Sequence, residues 1–428
     1  MRREEIAKKL DVKKIKESKV ARNSFFITAA HFMNIAFGLL VTTIIARYLG
    51  VELYGRFGYY TALMSILAIF LDLGTDIFSV VQISKDKDSM DRYISMNVTS
   101  RFFMTAIMSI VFVFMGISGV VDMEVAALIF WAAFLMQNFI KVPKICFQSS
   151  EEMHYMALYD VLDYVLLLIC TSAFVLLGPK GIKLELVAGA YLVSRGLTVA
   201  MSMNKAIRRY KLKYVKVRSS EVLALVKKSS PLFVNSIITL LAMQIDVMMI
   251  NAFMGDVETG YYSASKRILT NLLIFPSVMT TVLLPKLSNK SLDEQKSVYV
   301  LKMNFAGGII VAAGIFIFAK LGILLLFGRD YLPAYHILQI FGFAMPMLFV
   351  NYYLGTYLVA NEKQSKVLFL NIISTLANIG MNYVLIPAYQ GRGAAMATFI
   401  SISIGFALSA YYYMKTRSEN DRGEEASS

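Results

Sequence analysis

Charge is scarce in this chain. Asp, Glu, Lys and Arg make up only 17% of its 428 residues, where an ordinary globular domain carries about 25%. Apolar residues reach 57%, above the soluble norm of about 45–50%. One soluble core of this size cannot hide that excess, so most of the surface must face lipid. Histidine and cysteine are nearly absent, at three and two residues, which leaves little material for a metal site. Cys146 and Cys170 fall on successive expected helices, far apart in depth, where disulfide geometry excludes a bridge; they read as small core residues. The chain also lacks a Gly-rich phosphate loop ending in Lys-Ser/Thr, zinc-ligand spacing and a nucleophile elbow. Nucleotide hydrolysis by the chain itself is excluded, and the expectation is no cofactor, no bound metal and no enzymatic activity.

What is present is a series of long apolar runs. A bilayer core of roughly 30 Å asks for about 20 apolar residues at 1.5 Å each. Runs that meet this lie near 25–46, 57–80, 102–120, 124–145, 158–177 and 184–203, then 231–254, 260–284, 303–327, 334–359, 367–386 and 393–414. The first is too long for a signal-peptide core and has no small-residue cleavage pattern, so it reads as a retained span. The fold class expected is an all-α membrane protein of about twelve transmembrane helices.

The net charge of +14 matters less than where it sits. The tail 1–24, the stretches 81–101, 141–157, 204–230, 285–302 and 360–366, and the tail 415–428 hold most of the Lys and Arg. The intervening loops are short and carry few. By the positive-inside rule both termini are expected in the cytoplasm, with the chain in the cytoplasmic (inner) membrane. The outer loops are too short to build a soluble catalytic face. The most basic internal stretch, 204–230, divides the spans into two sixes, an N-lobe over 25–203 and a C-lobe over 231–414. It reads as a linker held to anionic lipid headgroups, at about 1 kcal/mol per basic residue near the surface. Nothing there points to nucleic acid.

The two halves resemble each other. Gly50-Val51-Glu52-Leu53-Tyr54-Gly55 follows the first span, and Gly255-Asp256-Val257-Glu258-Thr259-Gly260 follows the seventh. Aromatics come next in both copies. Six spans per repeat make the copies parallel, and such repeats commonly face each other across a transport path.

These residues also carry a family resemblance. Ala46-Arg47-Tyr48-Leu49-Gly50 with Tyr54-Gly55, then Asp72-Leu73-Gly74, resembles the polysaccharide-export (O-antigen) flippases of the multidrug/oligosaccharidyl-lipid/polysaccharide (MOP) exporter superfamily. So do Gln244-Ile245-Asp246 with Gly260-Tyr261-Tyr262-Ser263-Ala264. Asn371, Asn378, Asn382-Tyr383, Leu385-Ile386-Pro387 and Gly393-Ala394-Ala395-Met396-Ala397-Thr398 complete an ordered set that covers nearly the whole chain. The resemblance implies two parallel six-helix lobes in a V around a central cavity. It also implies alternating access and a polyprenyl-pyrophosphate-linked oligosaccharide as substrate, for surface polysaccharide (lipopolysaccharide or similar) biosynthesis. The competing expectations are an ion-coupled small-molecule (multidrug) antiporter of the same superfamily and a non-transporting scaffold of envelope assembly. The absence of a carboxylate in the first span counts against the antiporter. The partners expected are the lipid-linked oligosaccharide, anionic lipids, a coupling ion and a polysaccharide polymerase complex.

Ionisable groups at membrane depth are costly, about 2.5–3.5 kcal/mol on insertion scales, so each needs a reason. Asp246 is expected to pair with Arg267 or Lys266 on the following span. Asp72 and Asp76 have Arg101 and Arg195 within plausible depth, as a gate or a packing network. Asp160 and Asp163 are expected to serve only a helix N-terminus. Polar stripes run through His31, Asn34, Gly38 and Thr42, through Thr61, Ser65 and Asp72, through Asn235, Thr239, Ala242 and Asp246, and through Ser263, Arg267 and Asn271. In lipid such stripes must face protein or water; interhelical hydrogen bonding explains the Ser and Thr members equally well. The substrate-binding candidates are Arg195, Arg267, Lys266, Asn34, Asn271 and His31, because amides suit sugar hydroxyls and guanidinium groups suit pyrophosphate. Asp246, Asp72 and Arg101 are the gating candidates. His31 reads as a satisfied interior histidine or as a proton carrier. Pro276 and Pro346 are expected to kink their helices.

Overall fold

The structure, a computed structural model, describes residues 2–179, 181–277 and 294–425, with side chains over 26–179, 181–277 and 297–419. Among the described residues there are eleven α-helices and no strand. They are α1 (Arg2–Ile69), α2 (Thr75–Lys85), α3 (Met90–Ile117), α4 (Val125–Ser149), α5 (Met153–Leu177), α6 (Lys183–Tyr210), α7 (Ser219–Met254), α8 (Asp256–Leu272), α9 (Glu294–Leu326), α10 (Ala334–Ala360) and α11 (Gln364–Glu425). The end of the eighth expected span and the first part of the stretch 285–302 lie outside the described residues.

Nine helices among the described residues are long and apolar enough to cross a membrane. Two exceed a single crossing: 44 residues of α1 and 56 of α11, where about 20 suffice. Each carries one non-helical residue, Gly50 in α1 and Gln390 in α11, where the sequence places a loop between two spans. The chain is an all-helical, multi-pass membrane protein.

One expectation of helix continuity changes. The run 57–80 is not one helix: it stops at Ile69, turns through Leu73 and Gly74 at positive φ, and restarts as α2 at Thr75. The stretch 204–230 is mostly helix, with α6 reaching Tyr210 and α7 starting at Ser219. Pro346 lies inside α10, and a side chain on Gly308 of α9 would collide with the Pro346 backbone. Glycine there lets two helices approach at their backbones.

The chain divides into two compact units. The first comprises residues 1–45 and 67–234. At its centre α4 packs against α6, α2 and α3, and α6 packs on α5. Phe130, Val142, Cys146 and Phe147 of α4 are fully buried. Cys146 and Cys170 are both free thiols. The second unit comprises residues 46–66 and 235–428. Here α10 is central, packed on α9, α11 and α8, with Phe341, Ala344, Met345 and Tyr353 buried.

The internal repeat has a structural counterpart inside the second unit. Gly50 adopts φ 76°, ψ 176° and Gly255 adopts φ 79°, ψ −170°, conformations essentially reserved for glycine. The partner glycines are reciprocal: a side chain on Gly55 would strike the Asp256 carbonyl, and one on Gly260 the Val51 carbonyl. Arg56 Nε donates to Asp256 Oδ2 at 2.9 Å and ties the two corners together.

Candidate functional site

In the first unit, the interrupted helix around Asp72-Leu73-Gly74 organises a polar cluster. A helix break frees backbone groups that must be satisfied locally. Thr75 Oγ1 donates to the Asp72 carbonyl at 2.7 Å, the Asp76 N–H donates to Asp72 Oδ1 at 3.3 Å, and Ser229 Oγ donates to the Leu73 carbonyl at 2.9 Å. Gly74, at φ 73°, sits so close to α7 that an added Cβ would be 2.8 Å from both the Phe233 nitrogen and the Ser229 oxygen. Asn97 links α3 to α2 by donating to Ser79 Oγ at 2.6 Å and accepting from Thr75 Oγ1 at 2.8 Å.

Arg101 is 1% exposed; it pairs with Asp76 and donates to the Asn138 carbonyl at 2.8 Å. Asp72 pairs instead with Lys141 Nζ at 3.5 Å. The sequence missed Lys141 because it falls at the end of an expected span, where a lysine reads as an anchor to headgroups. Asp160 and Asp163 also depart from expectation. They lie well inside α5 rather than at its start, and they pair with Lys144 and Arg195. Arg195 and Asp163 are both 7% exposed, and Thr198 Oγ1 donates to Asp163 Oδ1 at 3.3 Å. Arg195 therefore has a carboxylate partner in its own unit. On α1, His31 is exposed and Asn34 carries a buried Oδ1 with no hydrogen-bond partner.

In the second unit, Asp246 is the centre. Of the two adjacent cations Lys266 and Arg267, the structure brings Lys266 to it: Nζ lies 2.6 Å from Asp246 Oδ1 and also donates to the Met243 carbonyl. The Tyr262 hydroxyl donates to Asp246 Oδ2, and the Val247 N–H to Oδ1 at 2.9 Å. Asp246 is 3% exposed. A buried carboxylate needs such a set of donors, because desolvation otherwise outweighs its charge interactions. Tyr262 was absent from the sequence candidates; the Tyr261-Tyr262 pair reads equally as a headgroup-belt motif.

This pair faces a cavity of about 410 Å³. Asn351, Asn371, Asn378 and Thr398 line it with Tyr352 and Phe341. Asn382 Nδ2 donates to Asn378 Oδ1 at 2.9 Å, and Asn351 Oδ1 is buried without a partner. The asparagines of the sequence motif and the aspartate of the seventh span thus meet in one polar chamber. Arg267 and Asn271 lie partly buried on α8, and Asn271 Nδ2 has no hydrogen-bond partner. Amides, hydroxyls and one ion pair in an apolar frame are equipped to bind a hydroxylated polar ligand. Among the described residues no His/Cys/Asp/Glu group of three or more is placed to hold a metal ion.

The family profile described as polysaccharide biosynthesis protein matches residues 20–291, and that of the lipid II flippase MurJ matches residues 164–425. The chain is 26% identical over 416 residues to the capsular polysaccharide biosynthesis protein CapF of Staphylococcus aureus, covering 93% of this chain and 100% of that one. It is 23% identical to the probable low-salt glycan biosynthesis flippase Agl15 of Haloferax volcanii, covering 92% and 83%. The fold aligns with a lipid II flippase MurJ structure in an inward closed conformation at TM-score 0.74 and 18% identity, over 91% of this chain and 87% of that one. With each profile spanning more than half of its length, the chain belongs to the polysaccharide biosynthesis protein family and shares the profile of the lipid II flippase MurJ.

Proposed function

We propose that the protein moves a polyprenyl-pyrophosphate-linked oligosaccharide across the cytoplasmic membrane by alternating access, as a step in surface polysaccharide biosynthesis. The chain crosses the membrane twelve times in this reading, with both termini in the cytoplasm and lobes at 25–203 and 231–414. The observation that carries it is the chamber of the second unit, where three asparagine side chains and a lysine–aspartate pair line one cavity. Amide groups donate and accept at once, which is what vicinal sugar hydroxyls require. Lys266, Arg267 and Asn271 of α8 and Arg195, Asn34 and His31 of the first unit are the substrate contacts of this reading. Asp72, Arg101 and Asp246 hold the gates. The family and the CapF and Agl15 relatives support the class of cargo.

Mass spectrometry of polyprenyl-linked intermediates tests this in cells with and without the gene. Build-up of one pyrophosphate-linked oligosaccharide on the cytoplasmic side is expected, and it names the cargo. An unchanged lipid pool together with new drug sensitivity would overturn the reading in favour of the antiporter.

A further inference from the structure

The cytoplasmic end of α6 holds a second site, outside the chambers described above and independent of the proposed cargo. A cavity of about 530 Å³ is lined by Tyr159, Met201, Asn204, Lys205, Arg208 and Arg209, with no acidic residue among them. Arg209 is engaged by Glu152 at 2.7 Å. Lys205 Nζ sits 4.7 Å from the Tyr155 ring centroid, which fixes the ammonium beside the opening.

The same helix face continues towards the bilayer as an apolar track. Val193, Leu197 and Met201 are 43%, 45% and 47% exposed, and their four-residue spacing carries on through Asn204, Lys205 and Arg208, so all lie on one stripe. Depth agrees. At 1.5 Å per residue, Met201 lies roughly 27 Å from Lys183 at the helix start, close to the full hydrocarbon thickness of about 30 Å. Asn204 to Arg208 therefore fall in the headgroup layer.

We infer that this is a binding site for one anionic phospholipid, the phosphodiester held by Lys205, Arg208 and the Asn204 amide, the acyl chains lying along Val193, Leu197 and Met201. Charge and polarity both match that occupant: two cations above an apolar strip of about 12 Å, which lies within one leaflet of a core about 30 Å thick. Arg supplies planar donors suited to phosphate and Lys a point charge. Binding of this kind anchors α6 and, through it, the start of the non-helical stretch 211–218.

The experiment is native mass spectrometry of the full chain in mild detergent, titrated with phosphatidylglycerol and, separately, phosphatidylcholine. The variants are Lys205→Gln/Arg208→Gln and, with the same charge removed outside the stretch 204–230, Lys85→Gln/Lys87→Gln. At about 1 kcal/mol per basic residue, the first variant is expected to bind phosphatidylglycerol roughly thirtyfold more weakly. The second is expected to bind as the unaltered chain does, and phosphatidylcholine binding is expected to be equal in all three, which also reports that the variants are folded. Equal weakening in both variants would overturn the site in favour of diffuse attraction. Displacement of the lipid by glycerol phosphate alone would identify a free-phosphate site, and displacement by farnesyl diphosphate below the phosphatidylglycerol concentration a cargo site; either overturns the inference.

Discussion

Lys266 Nζ lies 2.6 Å from Asp246 Oδ1 while donating to the Met243 carbonyl, so the ammonium is held as a tethered cation between a carboxylate and a main-chain oxygen. Breaking a buried pair from one side leaves an uncompensated charge and costs about 3–5 kcal/mol, whereas replacing both members by apolar groups is often neutral. Asp246→Leu and Lys266→Met are each expected to lower the thermal midpoint of the purified protein. The double variant is expected to recover most of the loss. Equal loss in the double variant would show that the two side chains act separately.

Arg195 and Asp163 allow folding to be separated from transport. Arg195→Gln alone strands Asp163, so its effect on export is uninformative. The Asp163→Leu/Arg195→Met variant is expected to reach normal levels in the membrane. Export measured in that variant falls at least tenfold if the guanidinium meets the cargo, which corresponds to losing about 1.4 kcal/mol of interaction. Normal export assigns the pair to packing.

The glycines rank by what surrounds them. At Gly74 an added Cβ would lie 2.8 Å from two backbone atoms of α7, and backbone in a packed helix cannot yield as a side-chain end can. Gly74→Ala is expected to abolish accumulation of the protein. Gly50 faces open space, so Gly50→Ala carries only the strain of positive φ, about 1–3 kcal/mol. Immunoblots of membrane fractions check the order.

Glu152, between α4 and α5, sets a pH dependence. Its bond from Arg209 holds the carboxyl below the usual glutamate value, aided by the Tyr210 hydroxyl. A depressed folded-state value means the stabilisation is present above about pH 4.3, the unfolded value, and is lost as the pH falls through the lower folded value. Thermal midpoints of the unaltered protein and Glu152→Gln are expected to differ at pH 7 and to converge as the pH falls through the lowered folded-state value.

The sequence displays the fold well because each span is a long apolar run, and hydrophobicity over 20 residues is a strong signal. Breaks inside a span are another matter. Residues 57–80 read as one crossing because Phe70, Leu71 and Leu73 are apolar; the interruption is offset by hydrogen bonds donated by Thr75, the Asp76 N–H and the distant Ser229. Likewise Asp246 announces itself by charge, and its cation is narrowed to neighbours 266 and 267, but the choice between them depends on helix rotation. Asn351 meets Asn371 and Asn378 only through tertiary packing. Asp163 and Arg195 are 32 positions apart on neighbouring helices, and nothing local in the chain couples them.

The buried charges come in opposite-signed couples: Arg101 with Asp76, Arg195 with Asp163, Lys266 with Asp246. Membrane voltage does work of about 2.3 kcal/mol per elementary charge for each 100 mV crossed, and a couple that travels together presents no net charge to it. Each pair is thus electrically silent in any rearrangement that keeps it intact. In the transport cycle proposed above, voltage sensitivity is expected to enter through charges outside these three couples, the cargo's phosphates among them.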